Sequence, residues 1–470
     1  MHQATEPGSL EPFRLKSSSS QFLLQNLHRN LFRYDDKARL VPDLAESCER
    51  SKDKKTLTCQ LKPHLKWSDG TPLTNRDFLK SYERILDPAT KAPRADLLFS
   101  ISGAEDLYRT GKGRLGVSLK GEHSLRFELT RLDPDFEHNL SSLILAPYRE
   151  GLSSGPYRIQ KWEKGQRIRL TRNDSYPNGF RTRPDVEILF IEDDGVALKL
   201  FEKGDLHFLR RLPTLYIPKF KKSAEFHWIP LLRLDYLGFG PRLKDQGRLR
   251  EALSLSLNYE ELQRIFHSEG RPGCTGLPPD WIGTEAPLCH GFDPARAKEA
   301  LKSVEMKKLA PLRMIYSNAG GEDHRRAAEW EQDQWKKNLG LNVQVRGTEN
   351  KIFLSELRRS GPDLFRRGVG ADRPTCRAFL ETFKTTHPDN VSQVTDPDFQ
   401  KTLENLDRAT TEAEEKKFCS EALNHLMRND EFIPLGQMHF AILASRKFSG
   451  WTLNSMLSLD LSELKTSTGH

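Results

Sequence analysis

Residues 312–372 read LRMIYSNAGGEDHRRAAEWEQDQWKKNLGLNVQVRGTENKIFLSELRRSGPDLFRRGVGAD. Leu312 to Tyr316 and Leu341 to Val345 are short apolar runs that predict strands, while Arg325 to Leu339 and Ile352 to Arg359 carry apolar residues at helical spacing. Strands alternating with helices predict an α/β lobe. The stretch closes on a small apolar run, Gly368-Val369-Gly370-Ala371, that ends in the carboxylate of Asp372. Glycines let another backbone come close, and Arg366, Arg367, Arg373 and Arg377 flank the carboxylate, so these residues form a candidate wall for a ligand. Taken alone they favour a plainer reading, a buried strand that stops in a turn before Pro374.

Working outward, Asp293-Pro294 caps a predicted helix over 295–304, and further helices are expected over 248–257 and 259–266 after a strand at Tyr236 to Gly240. Residues 151–173 alternate about Lys164-Gly165 as a hairpin, followed by a strand at 186–191 and a helix at 195–202. Residues 39–151 form a compact α+β unit, in which Thr74 and Asp77 make a capping box for a helix over 75–86. Nearer the start, Ser17 to Ser20 cap a helix expected over 22–32.

At 470 residues the chain calls for two or three domains. Its 36% hydrophobic and 29% charged residues, with a mean hydropathy of -0.64, describe a globular protein, and no apolar run approaches the length of a bilayer. The formal charge of +8 is a modest excess spread along the chain. In the basic stretches at 161–183 and 242–250 the apolar positions alternate as in strands and no aromatics sit in a recognised RNA- or DNA-binding pattern, so no nucleic-acid partner is expected. No signal peptide is present in this numbering. Of six cysteines, Cys48 and Cys59 lie on the two arms of a predicted hairpin and Cys274 and Cys289 bracket one Pro/Gly-rich loop. Two locally closable pairs suit disulfides in an oxidising compartment; free thiols are the competing reading, and Cys376 and Cys419 have no assigned partner.

Gly151-Leu152-Ser153-Ser154-Gly155 matches GxSxG, but Pro156 and an alternating strand follow where a nucleophile elbow needs a helix. No HExxH, Cys/His metal spacing, phosphate-binding loop or GxGxxG occurs. No catalytic residue, metal or cofactor is expected.

Several segments, in order, resemble the extracytoplasmic solute-binding proteins of ABC importers, specifically the oligopeptide and dipeptide-binding family. They include LVPDLAES at 40–47, LKWSDGTPLTNRDFLKSYERILDPAT at 65–90, SSGPYRIQKWEKGQRIRLTRNDSY at 153–176, RLREALSLSLNYEEL at 248–262, FDPARAKEALK at 292–302, QWKKNLGLNVQV at 334–345 and FIPLGQMHFAI at 432–442. The resemblance implies an α/β fold of the two-lobed periplasmic-binding-protein type (type II-like), with an extra α+β domain inserted in the first lobe. Residues 1–38, 152–257 and 437–470 are then lobe I, 39–151 the insertion and 258–436 lobe II. It implies a monomer outside the cytoplasmic membrane whose signal peptide was removed, which captures a peptide between two hinged lobes and passes it to a membrane permease. In the family a strand of small residues pairs with the peptide backbone and an aspartate takes its α-amino group. Asp372 matches that aspartate, with Gly368, Val369, Gly370 and Ala371 on the strand. Val369 stands where Trp is usual and Arg373 where Tyr is usual, which implies a changed pocket. The arginines here either meet a ligand carboxylate, favouring acidic or short peptides, or face solvent. Ser17, Ser18 and Ser19 match the segment supplying a second peptide-pairing strand, and Tyr236, Leu237 and Gly238 are weaker ligand candidates. The rival readings are the same fold around a metal complex, haem or other small solute, and a serine hydrolase using Ser153.

Overall fold

The chain divides into two units, unit 1 made of Met1–Leu212, Phe220–Ile229 and Ala441–His470, and unit 2 of Pro213–Lys219 and Pro230–Phe440. The computed structural model describes residues 1–15, 18–176, 183–267, 273, 291–309, 311–359, 361–370, 372–385, 387, 390–392 and 394–467, without the side chains of 18, 19, 437 and 438. Cys274, Cys289, Ser17 and Ala371 lie outside the described residues.

The main elements of unit 1 are β1 (His2–Gln3), α1 (Ser18–Leu27), β2 (Ala45–Arg50), β3 (Thr56–Leu61), α2 (Asn75–Leu86), β4 (Val117–Lys120), β5 (Ser124–Glu128), β6 (Tyr157–Glu163), β7 (Arg167–Arg172), β8 (Val186–Phe190) and β9 (Phe208–Leu209). One sheet has the order β1-β8-β7-β6, in which the expected hairpin pairs Ile159 with Leu170 and Trp162 with Ile168. The other, β2-β3-β5-β4, belongs to the expected α+β unit. α2 begins and ends where its signals predict, because Asp77 Oδ2 accepts from the Thr74 backbone N–H at 2.8 Å and Asp87-Pro88 stops it. Phe78 and Tyr82 on its inner face are fully buried with Trp67, Phe127 and Phe136, a core of its own for this part of unit 1. Cys48 faces Cys59 across the β2–β3 ladder and the two form a disulfide. α1 starts at Ser18 and ends at Leu27, five residues short of the expected Phe32, which opens a short strand instead.

β10 (Phe226–Phe239) begins in unit 1 and continues through Pro230 into unit 2. There follow α3 (Gly247–Leu255), α4 (Pro294–Lys302), β11 (Leu312–Ser317), α5 (Gly321–Leu339), β12 (Val343–Thr348), α6 (Asn350–Arg359), β13 (Leu364–Gly370), α7 (Cys376–Glu381), α8 (Pro397–Arg408), α9 (Glu412–Arg428) and β14 (Phe432–Ala444). The sheet of unit 2 runs β14-β10-β13-β11-β12, with β11 parallel to both β12 and β13, and β13 antiparallel to β10. The α/β alternation expected over 312–372 is present, and the parallel pairs need the helical crossovers that α5 and α6 supply. α3 packs within unit 2, where Trp335 of α5 donates to the Leu253 carbonyl at 3.1 Å. Unit 2 resumes at Pro230, and the return to unit 1 comes at Ala441. The last residues of β14, Leu443 and Ala444, pair with β9 in unit 1.

Apolar side chains cover both faces of the unit 2 sheet. Leu237, Met314, Trp335 and Leu253 lie in one buried cluster, and Tyr236, Phe365, Phe379, Phe399 and Leu423 in the other. The second cluster is closed by a disulfide between Cys376 and Cys419, whose Cα atoms are 6.2 Å apart and which ties α7 to α9. We expect the Cys376→Ala/Cys419→Ala protein to lose about 2–4 kcal/mol of stability in urea unfolding, as closure of a long loop is released from the denatured chain. An unchanged midpoint and slope would show that the bridge is not formed in the protein.

Candidate functional site

Side chains alternate along β13, and residues opposite each other on antiparallel strands share a face. Phe365 and Val369 therefore enter the cluster that holds Tyr236, Phe379 and Phe383. Arg366, Gly368 and Gly370 turn to the other face, beside Leu237, Asp235 and Arg233 of β10. β10 pairs with all seven residues of β13, whereas β11 pairs only with Leu364 to Arg366 before ending at Ser317 and turning through Asn318–Gly320. Gly368 to Gly370 thus run past the end of the β11 ladder.

On that face lies a buried charged network. Arg366 Nη2 donates to Asp235 Oδ2 at 3.1 Å, and Arg233 Nε donates to Asp235 Oδ1 at 2.8 Å. Asp235 is 1% exposed, so burial alone would raise its pKa, but the two guanidinium groups outweigh burial and hold the carboxyl below its usual range. Glu331 of α5 is also buried, with Oε1 3.5 Å from Arg366 Nε, and neither carboxylate oxygen has a hydrogen-bond partner among the described residues. Burial, opposed by Arg366 and reinforced by Asp235, pushes its pKa up to about 8, so at neutral pH it is mainly protonated. His324, whose Nδ1 lies 3.0 Å from the Ser317 carbonyl, is lowered to about 4 by burial and then by Arg366, and is neutral.

Asp372 is exposed at the turn beyond β13, its Oδ1 accepting from Arg373 Nε at 3.0 Å. Arg373 is buried and also pairs with Glu381. Arg377 is buried too, donating to the Leu406 carbonyl at 2.8 Å with Asp407 and Glu415 each 3.8 Å away. Arg366, Arg373 and Arg377 therefore neither face solvent nor stand ready for a ligand, because their charge is met by the protein's own carboxylates. Val369 and Arg373, the two departures from the family pattern, are both buried.

Tyr236 is 1% exposed and packs against Phe365, Phe383 and Phe432, so its ring belongs to the core; Leu237 is buried in the opposite cluster. At Gly238 a Cβ would run into the Phe365 ring, so this glycine serves packing. Ser18 and Ser19 form the first turn of α1 and not a strand. Ser153 is buried, its backbone N–H donating to Ser68 Oγ at 3.1 Å, and β6 follows where an elbow needs a helix. Sequence reasoning passed over Asp235 and Glu331. Each had a signal, a carboxylate in the apolar alternation of LLRLDYLGF and one among the inward helical positions Ala327, Ala328, Gln334 and Trp335.

These units and sheets define an α/β two-lobed binding protein of the periplasmic type, with an α+β insertion in the first lobe. The solved structure of the Escherichia coli murein tripeptide-binding protein MppA matches with a TM-score of 0.85 at 23% identity, covering 99% of this chain and 97% of that one. By sequence the chain is 28% identical over 449 residues to the oligopeptide-binding protein OppA of Bacillus subtilis, covering 88% of this chain and 82% of OppA. It is 24% identical over 489 residues to the periplasmic murein peptide-binding protein MppA of Escherichia coli, covering 97% and 90%. The family model for bacterial extracellular solute-binding proteins, family 5 (middle), matches residues 39–390. The chain belongs to this family, one of solute-binding proteins and not of enzymes. Among the described residues no helix is long and apolar enough to cross a membrane.

Glu331 makes stability depend on pH with a definite sign. Its folded pKa lies above the unfolded value, so the folded chain keeps a proton that the unfolded chain releases. The associated stability is complete below about pH 4.5 and declines as pH rises toward about 8. Glu331→Gln keeps a neutral group in place and is expected to flatten the fall in urea midpoint between pH 5 and 8. Parallel pH profiles for the two proteins would exclude a protonated Glu331.

Proposed function

We propose that this protein captures peptides outside the cytoplasmic membrane, as a monomer, and delivers them to the permease of an ABC importer. The observation that carries the reading is the end of β13, where Gly368 to Gly370 extend beyond β11 and lead to the exposed carboxylate of Asp372. A strand end that outruns its neighbour offers main-chain hydrogen bonding without reading side chains, as strand addition requires. An ammonium leaving water needs a paired anion. The relatives named for oligopeptide and murein peptide binding add support of a different kind.

Asp372→Ala is expected to weaken peptides with a free amino terminus by about tenfold or more, in line with roughly 1.5–3 kcal/mol for a hydrogen bond to a charged group. N-acetylated versions of the same peptides should change far less. Isothermal titration calorimetry on matched pairs checks this, and equal losses within each pair would remove Asp372 as the amino-group anchor.

A further inference from the structure

Arg233 stands apart from the other arginines around β13. It lies on β10 directly opposite Gly370, its side chain is 32% exposed, and it leans along the strand until its guanidinium overlies Gly368. A Cβ on Gly368 would collide with that guanidinium and with the Asp235 carboxylate, so the glycine makes room for the pair. Only Nε is engaged, by Asp235 Oδ1 at 2.8 Å; among the described residues neither terminal nitrogen of Arg233 has a hydrogen-bond partner. Asp235 fixes one edge of the fork and leaves the edge that binds carboxylates bidentately.

The charge balance favours an anion at this place. Arg233 and Arg366 bring two positive charges and Asp235 one negative, while His324 is neutral and Glu331 mainly protonated. One positive charge is left over, and Arg233 is its more exposed carrier.

We propose that Arg233, tethered by Asp235 over Gly368, takes a carboxylate of the bound ligand and so sets a preference for acidic ligands. The inference rests on the peptide reading and names a specificity residue within it. The carboxylate belongs either to an acidic side chain or to the C-terminus of a short peptide, and both present the same two oxygens to the fork.

The test is calorimetric titration of the full chain with short peptides carrying Glu or Gln at one position, each as the free acid and as the C-terminal amide. The protein is expected to bind the carboxylate member of one of these pairs at least tenfold more tightly than its amide, and the pair that discriminates identifies the source. Arg233→Gln should bring that ratio to within about threefold without changing the Kd of the doubly amidated peptide, and Arg233→Lys should keep part of it. Asp235 retains Arg366 in the variant, so the thermal midpoint should stay within a few degrees. If Arg233→Gln leaves the ratio intact, or weakens acids and amides alike, the assignment to Arg233 is wrong. Peptides that bind without any carboxylate preference overturn this inference and leave the peptide reading standing, whereas failure to bind any peptide overturns both.

Discussion

The seven-residue pairing of β13 with β10 is the constraint on which the rest of unit 2 depends. A shift of β13 by one residue would turn its faces over, carrying Arg366 into the cluster of Tyr236, Phe379 and Phe383, away from Asp235, and placing Phe365 and Val369 among charges. Neither face tolerates the other's residues, since a buried charge without its partner costs several kcal/mol. The register is therefore specified twice, by apolar packing on one side and by ion pairing on the other. It also decides which residues β13 offers beyond β11, and in what order.

Burying three ionisable groups behind a sheet is expensive, and the network reduces the cost by unequal sharing. Asp235 receives two guanidinium groups and stays ionised, while Glu331, with a single distant contact to Arg366, keeps its proton. Such an arrangement leaves the face near Arg233 positive. That feature comes from pairing within the protein and not from the number of arginines in the stretch.

What could be read beforehand was local. The capping box of α2, the β2–β3 hairpin with Cys48 opposite Cys59, and the alternation from β11 to β13 each depend on residues close in sequence, and each formed as expected. The misses were non-local or contradictory in their signals. Cys376 and Cys419 are 43 residues apart, and nothing in the spacing announces that α7 and α9 meet. β10 looked five residues long because Pro230, Arg233 and Asp235 interrupt its apolar pattern; the proline lies at the change of unit, and the two charged residues satisfy each other. The arginines of 366–377 could be assigned alternate faces but not partners, since Glu331, Glu381 and Glu415 come from separate helices or their ends.

Gly368 and Gly370, two positions apart on β13, have different explanations. Gly368 is required by the protein itself, because Arg233 and Asp235 occupy the space a side chain would take. Gly370 meets no such obstacle: among the described residues a Cβ there would find only the Leu232 carbonyl oxygen, at 3.7 Å, an ordinary contact. Nor does its backbone need a left-handed conformation, since it continues the extended strand. Packing among the described residues thus gives no reason for glycine at the exposed end of β13. A ligand backbone lying against that end does give one, because a bare Cα allows the approach that main-chain pairing demands. The residue whose identity the fold leaves unexplained is the one closest to where the peptide is proposed to lie.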